Sequence, residues 1–325
     1  MKNKFLLLIL ISIAILNCEN DDESDSGIIT IPERDRAEQQ IEDNNLLLEY
    51  FDTHYYNSSE LAGIANPKIG DIIISEDPTD ISGNPNTLLS TSGVLSTRTI
   101  NYEETDYTYY ILNLSEGGGD ETPHFCDNIR TNYSGNFTDG EVFDSTVNPI
   151  TVDLLNFIKG WQIVIPEFKT AESFTVNTDG TIDYINSGLG VMFMPSGLGY
   201  FSTPPPGISL YTNLIFKFEL LETTLNDHDG DNVFTFIEDL NGDLDLTNED
   251  TDDDTFLNAF DSDDDGDGVP TINEDLEDMD LIVDADGDGD PTNDKQGDGD
   301  PTNDDTDGDG IPNYLDTDDS ETNDN

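Results

Sequence analysis

Apolar and polar positions recur with different periods along this chain, and the changes of period mark its parts. Phe5 to Leu16 is almost wholly apolar behind a positive start at Lys2 and Lys4, and it ends at Leu16-Asn17-Cys18. That run is too short to cross a bilayer as a helix and predicts a removable export signal over residues 1–17. An acidic tether over residues 18–33 follows. From Arg34 to Asn57, Leu46, Leu47, Tyr50, Phe51 and His54 recur at three- and four-residue spacing between polar ends, which predicts a helix packed on the rest of the chain. A dimerising or substrate-holding arm is the functional alternative for that helix, and His54 is read as a packing residue. Ile69 to Ser75 and Thr105 to Leu114 predict strands, the second carrying Tyr107, Tyr109 and Tyr110. The polar stretches Glu76 to Ser96 and Ser115 to Pro123 predict loops. Within Asn132 to Trp161, two short apolar runs flank Thr138-Asp139-Gly140, a turn in which glycine takes positive φ and joins a hairpin. Trp161, the only tryptophan, follows Phe157-Ile158 at the predicted start of a short helix. Lys169 to Met194, turning at Asn177 to Gly180, predicts a hairpin, and Trp161 by itself is read as a core aromatic, with the floor of a pocket beside that hairpin as the alternative.

Charge sharpens the division. The 325 residues hold 11 basic and 72 acidic side chains, a net charge of −61 that disfavours nucleic acid and anionic lipid surfaces as partners. Of those acids, 38 lie between Asn226 and Asn325 against one base, Lys295, which puts a boundary near Thr224. Gly117-Gly118-Gly119 has no Lys-Ser/Thr after it and is not a phosphate loop. Of the two cysteines, Cys126 precedes a predicted strand without a His or Cys-x-x-Cys context, and is read as a small buried thiol.

Four blocks then stand in order: Tyr133-Ser134-Gly135 with Gly140 and Phe143-Asp144-Ser145; Phe157-Ile158-Lys159-Gly160-Trp161; Met194-Pro195-Ser196-Gly197-Leu198-Gly199-Tyr200; and Leu214-Ile215-Phe216-Lys217-Phe218-Glu219-Leu220-Leu221. Together they resemble the FKBP-type peptidyl-prolyl isomerases. The resemblance implies an α+β domain over 115–224, a twisted antiparallel sheet wrapped on a short helix, behind a helix-and-strand region over 34–114. It implies a bowl lined by Tyr133, Phe143, Ile158, Trp161, Tyr200 and Phe216, with Trp161 beneath a proline ring and Tyr200 donating to a substrate carbonyl. Asp144 would be a rim acceptor and anchor. Prolyl rotation has a barrier of about 18–20 kcal/mol because it breaks amide resonance, and it needs no cofactor. An apolar bowl favours the less polar twisted amide. The implied function is folding assistance to proline-containing polypeptides; a non-catalytic proline-peptide chaperone or a calcium-dependent surface adhesion module is the alternative. Two departures bear on rate: Thr146 to Pro149 lacks the basic partner expected for Asp144, and Ile150 to Val152 is aliphatic where an aromatic is expected.

The acidic tail repeats. Asp227, Asp229, Asp231 and Glu238; Asp239, Asn241, Asp243 and Asp250; Asp263, Asp265, Asp267 and Glu274; and Asp305, Asp307, Asp309 and Asp316 share one spacing. Alternate carboxylates with a later one closing the shell suit calcium, although flanking helices are absent. The pattern resembles thrombospondin type 3 calcium repeats over 225–325. The alternative is a self-repelling solubility tail. The end of the apolar leader resembles a bacterial lipobox, which implies lipid on Cys18 and a membrane anchor. The acidic run after it resembles the surface-export signal of Bacteroidetes lipoproteins and points to the outer membrane of the cell envelope. Oligomeric state has no signature in the sequence.

Overall fold

The computed structural model describes residues 32–276, 299–306, 308–320 and 322. The chain divides into two units, residues 1–33 and 34–325, and every described helix and strand lies in the second. Helix α1 (Arg36–Thr53) is capped by Asp35, whose carboxylate accepts from Glu38 N at 2.9 Å. Strands β1 (Tyr55–Tyr56), β2 (Ile74–Ser75) and β3 (Thr87–Leu88) make a small sheet in the order β2-β1-β3, beside the single turn α2 (Ser58–Leu61). The main sheet follows: β4 (Leu95–Tyr102), β5 (Thr105–Ser115), β6 (Asn128–Asn136), β7 (Val142–Ser145) and β8 (Ile150–Asp153). After these come the short helix α3 (Lys159–Val164), the hairpin β9 (Ser173–Val176) and β10 (Ile182–Ile185), and then β11 (Gly188–Met194) and β12 (Leu214–Thr224).

The sheet runs β4-β5-β11-β12-β6-β7, antiparallel throughout, with β8 pairing the first half of β6. Its central strands bury both faces, and the alternation assigns each residue to one of two cores. Tyr107, Tyr109 and Ile111 of β5, Met192 and Met194 of β11, and Phe216 and Phe218 of β12 face α3 and Trp161. Tyr110 and Leu112, Val191 and Phe193, and Ile215 face Leu47 and Phe51 of α1. Period two on the strands thus seats one helix on each face.

Some sequence expectations shift. The helix ends at Thr53, and Leu46 is 49 % exposed while Gln39, Gln40 and Asp43 are buried. The polar side chains are inside because they have partners: Asp43 accepts from Ser196 N at 2.8 Å and Ser196 Oγ at 2.6 Å. Ile69 to Ser75 is a 3-10 turn (Ile69–Asp71) followed by the two residues of β2, not a continuous strand. The hairpin at Asn177 to Gly180 forms, but it docks away from the pocket. Tyr184 donates to Glu222 Oε1 at 2.7 Å, and its carbonyl accepts from Asn66 and Lys68. Among the described residues no helix is long and apolar enough to cross a membrane.

Candidate functional site

Four structural features bring the predicted bowl residues together. On β6, Tyr133 and Gly135 share the α3 face; Gly135 pairs with Phe216 of β12 on one side and Asp144 of β7 on the other. A Cβ at Gly135 would lie 2.5 Å from Phe143 Cζ and 2.8 Å from Phe216 Cε1, so only glycine lets these two rings meet across the strand. Ile158 caps α3, whose Trp161 packs behind the bowl. At Gly160 a Cβ would lie 1.6 Å from Met194 Sδ, so an added methyl would displace that side chain. Tyr200 follows the 3-10 turn Ser196–Leu198, which is anchored by Asp43 of α1.

The rings pack edge to face. Trp161 lies 5.4 Å from Tyr133 and 5.5 Å from Phe216, and Phe143 lies 5.4 Å from Phe216 at an interplanar angle of 87°. Trp161 is fully buried, 0 % exposed, so it backs the outer rings and does not itself line the cavities; its Nε1 has no partner among the described residues. Phe157, quoted in its motif block but not expected in the site, stands 4.9 Å from Trp161 and 6.0 Å from Tyr133. At the rim Tyr133 Oη donates to Asp144 Oδ2 at 2.6 Å. Burial, and then this carboxylate, holds the Tyr133 phenol well above its ordinary pKa; burial and Asp144 raise Tyr200 in the same way.

Two cavities meet at Tyr200. One, about 400 Å³, is lined by Phe137, Phe143, Asp144 and Tyr200 and faced by Pro205 and Pro206. The other, about 760 Å³, runs from Phe157, Ile158 and Tyr200 to Leu244, Leu246 and Phe260 of the acidic region. Neither is lined by the β9–β10 hairpin.

The acidic region, whose described regular structure consists of 3-10 turns such as Leu246–Asn248 and Asn258–Phe260, gathers carboxylates. Asp229, Asp231 and Glu238 meet Asp264, a residue of a later loop that the spacing did not reveal, with one oxygen of each within 4.8 Å of the others. Glu238 is 0 % exposed, and neither its oxygens nor those of Asp229 and Asp264 have a partner among the described residues. Burial, then Asp229 and Asp231, pushes Glu238 up to about 9. Asp227 instead shapes the loop, accepting from Gly230 N at 2.7 Å and Asn232 N at 3.2 Å. Asp263, Asp265 and Asp267 form a second group, with the buried Glu274 beside it, whose oxygens have no partner among the described residues. Asp250 joins Asp252 and Asp254, not the Asp239 loop with which the spacing pairs it. That loop is met by Glu249, which accepts from Asn241 Nδ2 at 2.6 Å, while Asp239 accepts from Gly242, Asp243 and Leu244 N. Asp305 accepts from Gly308 and Gly310 N, Asp309 from Ile311 N and Asp316 from Asp318 N; these oxygens shape turns. Cys18, Asp307 and the repeats over 277–298 lie outside the described residues. The buried oxygens of Asp229, Glu238 and Asp264, without a proton donor among the described residues, fit a hard cation that would cancel their repulsion.

Residues 119–221 match the family model of FKBP-type peptidyl-prolyl cis-trans isomerases, so the strands from β6 to β12 form an FKBP-type domain to which β4 and β5 add an edge. The chain is 27 % identical over 122 residues to the FKBP-type peptidyl-prolyl cis-trans isomerase FkpA of Escherichia coli K12, covering 37 % of this chain and 39 % of that protein. It is 26 % identical over 126 residues to the FKBP-type 22 kDa peptidyl-prolyl cis-trans isomerase of the same strain, covering 38 % and 52 %. The match thus spans about two-fifths to one half of the curated relatives' length. Among solved structures, a peptidyl-prolyl cis-trans isomerase from Pseudomonas syringae is similar at 18 % identity and a TM-score of 0.32, covering 42 % of this chain and 84 % of that one.

Proposed function

We propose that this chain is a peptidyl-prolyl cis–trans isomerase that accelerates folding of proline-containing polypeptides at the cell envelope. The observation that carries this reading is the convergence of Phe143, Asp144 and Tyr200 on one cavity, with Tyr133 bonded to Asp144 and the rings of Phe216 and Trp161 packed behind. Rotation about the prolyl bond breaks no covalent bond, so the work asked of the protein is differential solvation. A water-poor aromatic surface withdraws solvent from the planar amide, whose dipole is large, and tolerates the twisted amide better. The Tyr200 hydroxyl, whose pKa burial raises further, donates to the substrate carbonyl. The Tyr133–Asp144 hydrogen bond fixes the rim. Turnover of a short proline peptide should fall about tenfold in Tyr200→Phe, the loss of one positioned hydrogen bond. A parent protein with no turnover above the uncatalysed rate would leave only proline-peptide binding.

The tail groups hold calcium in this reading, the hard cation that extracellular modules meet at about millimolar concentration. Glu238, Asp229, Asp231 and Asp264 would ligate one ion, and its role is structural. A lipid on Cys18 completes the picture by tethering the protein to the outer membrane. Incorporation of labelled fatty acid that persists in Cys18→Ala would remove that part.

A further inference from the structure

The cavity between the FKBP-type domain and the acidic region continues the proline bowl. Tyr200 lines both cavities, and Ile158, which caps α3, lines the larger one. Beyond these residues the outer wall is built by the acidic region: Leu244, Leu246, Leu257 and Phe260. The two cations in the cleft are already engaged, Lys159 with the Leu244 carbonyl and Arg36 with Glu103. Neither offers an anion site; the rest of the lining is mixed, with Gln162, Ser202, Thr203, Asp245 and Thr247 beside the apolar wall.

Carboxylates fix that outer wall. Leu244 is set at a φ of +64° by its N–H donating to Asp239 Oδ2 at 2.9 Å. Leu257 to Phe260 lies between the Asp250, Asp252, Asp254 group and the Asp263, Asp265, Asp267 group. Upstream, the fully buried Glu238 reaches Asp264 across the same loops with both oxygens unpartnered. Four carboxylates within 4.8 Å can all stay charged only with a cation among them and must otherwise take up protons or move apart, so the ion is expected to fix the wall.

We propose that this cleft is a second client subsite, completed by calcium, that binds the apolar residues flanking the proline in an extended segment of unfolded polypeptide. The proposal rests on the isomerase reading for the role of the bowl, and continuity through Tyr200 sets the direction in which the client runs. A net charge of −61 selects against acidic segments and favours neutral or basic ones.

The test compares two peptides on the full chain, with calcium chloride or with a chelator: a short proline peptide that reaches only the bowl, and a longer neutral one with apolar residues on both sides of the proline. Fluorescence anisotropy reads the affinity of the longer peptide, and a cis–trans assay reads turnover of the short one. Chelation should weaken the longer peptide about tenfold. Phe260→Ala, whose ring is 47 % exposed and not part of a core, should weaken it similarly in calcium while circular dichroism stays unchanged. Equal affinity with and without calcium, or an unchanged affinity in Phe260→Ala, overturns the subsite. Short-peptide turnover decides the isomerase reading separately, since its loss leaves the affinity measurement standing.

Discussion

Asp144 shows how a local substitution is absorbed at the level of single residues. The FKBP-type pattern leads one to expect a basic residue beyond Phe143-Asp144-Ser145, and none stands between Thr146 and Pro149. Asp144 is exposed and takes its bond from Tyr133 Oη at 2.6 Å. Burial, and then that bond, raises the Tyr133 pKa; a raised acid loses its stabilising contribution only as pH climbs through the raised value. Turnover limited by this pair should therefore stay flat from neutrality to about pH 9, still below the ordinary tyrosine pKa of about 10. A pH–rate profile that bends near neutrality would show another group in control. Gly160 is the second case among single residues. Its missing Cβ leaves room for Met194 Sδ, so Gly160→Ala should cost about 1–3 kcal/mol by overpacking, read as a lower urea midpoint. Gly160 and Gly135 were both legible as members of motif blocks, but the reason for each was not. Their partners Met194 and Phe216 arrive from strands distant in sequence.

At the scale of elements, the regular pieces left the clearest signal, because their periods are local. The strand predicted over Thr105 to Leu114 is β5, one residue longer, and the turn predicted at Thr138-Asp139-Gly140 joins β6 to β7 with Gly140 at a φ of +87°. Helix α1 was legible from its leucines and aromatics, yet its most consequential residue is Asp43, which no apolar period marks. Asp43 receives Ser196 N and Oγ, and Asn213 Nδ2 donates to its carbonyl at 2.9 Å, so α1 holds the turn that leads to Tyr200. Asp43→Ala leaves the buried Ser196 N and Oγ without an acceptor, while the carbonyl that Asn213 reaches remains, and should destabilise the protein by about 2 kcal/mol in chemical denaturation, with a higher KM for proline peptides. The β9–β10 hairpin supplies the opposite case. It contributes to neither cavity, so replacing Ser173 to Ile185 by a short turn should leave turnover of a short peptide at the parent rate. Stability should fall by about 2 kcal/mol through the lost burial of Tyr184.

For the whole molecule the acidic region matters most where it touches the FKBP-type domain. Its clusters of carboxylates were legible from the spacing, but the reach of Asp264 to Glu238 and the packing of Leu246 and Ala259 on Phe125 and Cys126 were not, since neither leaves a periodic trace. Docking is reinforced by Asn226 Nδ2, which donates to the Cys126 carbonyl at 2.8 Å, and by the His124 ring stacked 3.6 Å from Phe236. Cys126 is thereby 0 % exposed, and burial followed by the charge of Asp127 raises its thiol pKa strongly, so it is doubly unreactive. That thiol is a built-in reporter of the docked state. If cations hold the loops together, their removal restores the repulsion among Asp229, Asp231, Glu238 and Asp264, and the cover over Cys126 opens. In a Cys18→Ala background, labelling by a thiol reagent should be slow in millimolar calcium and about a hundredfold faster in chelator, equivalent to an opening free energy lower by about 2.7 kcal/mol. Circular dichroism of the sheet should change little, because β6, β11 and β12 are held by the two cores on their own faces. Equal labelling rates in both conditions would mean that the apolar contacts alone hold the region in place and that its carboxylates do other work.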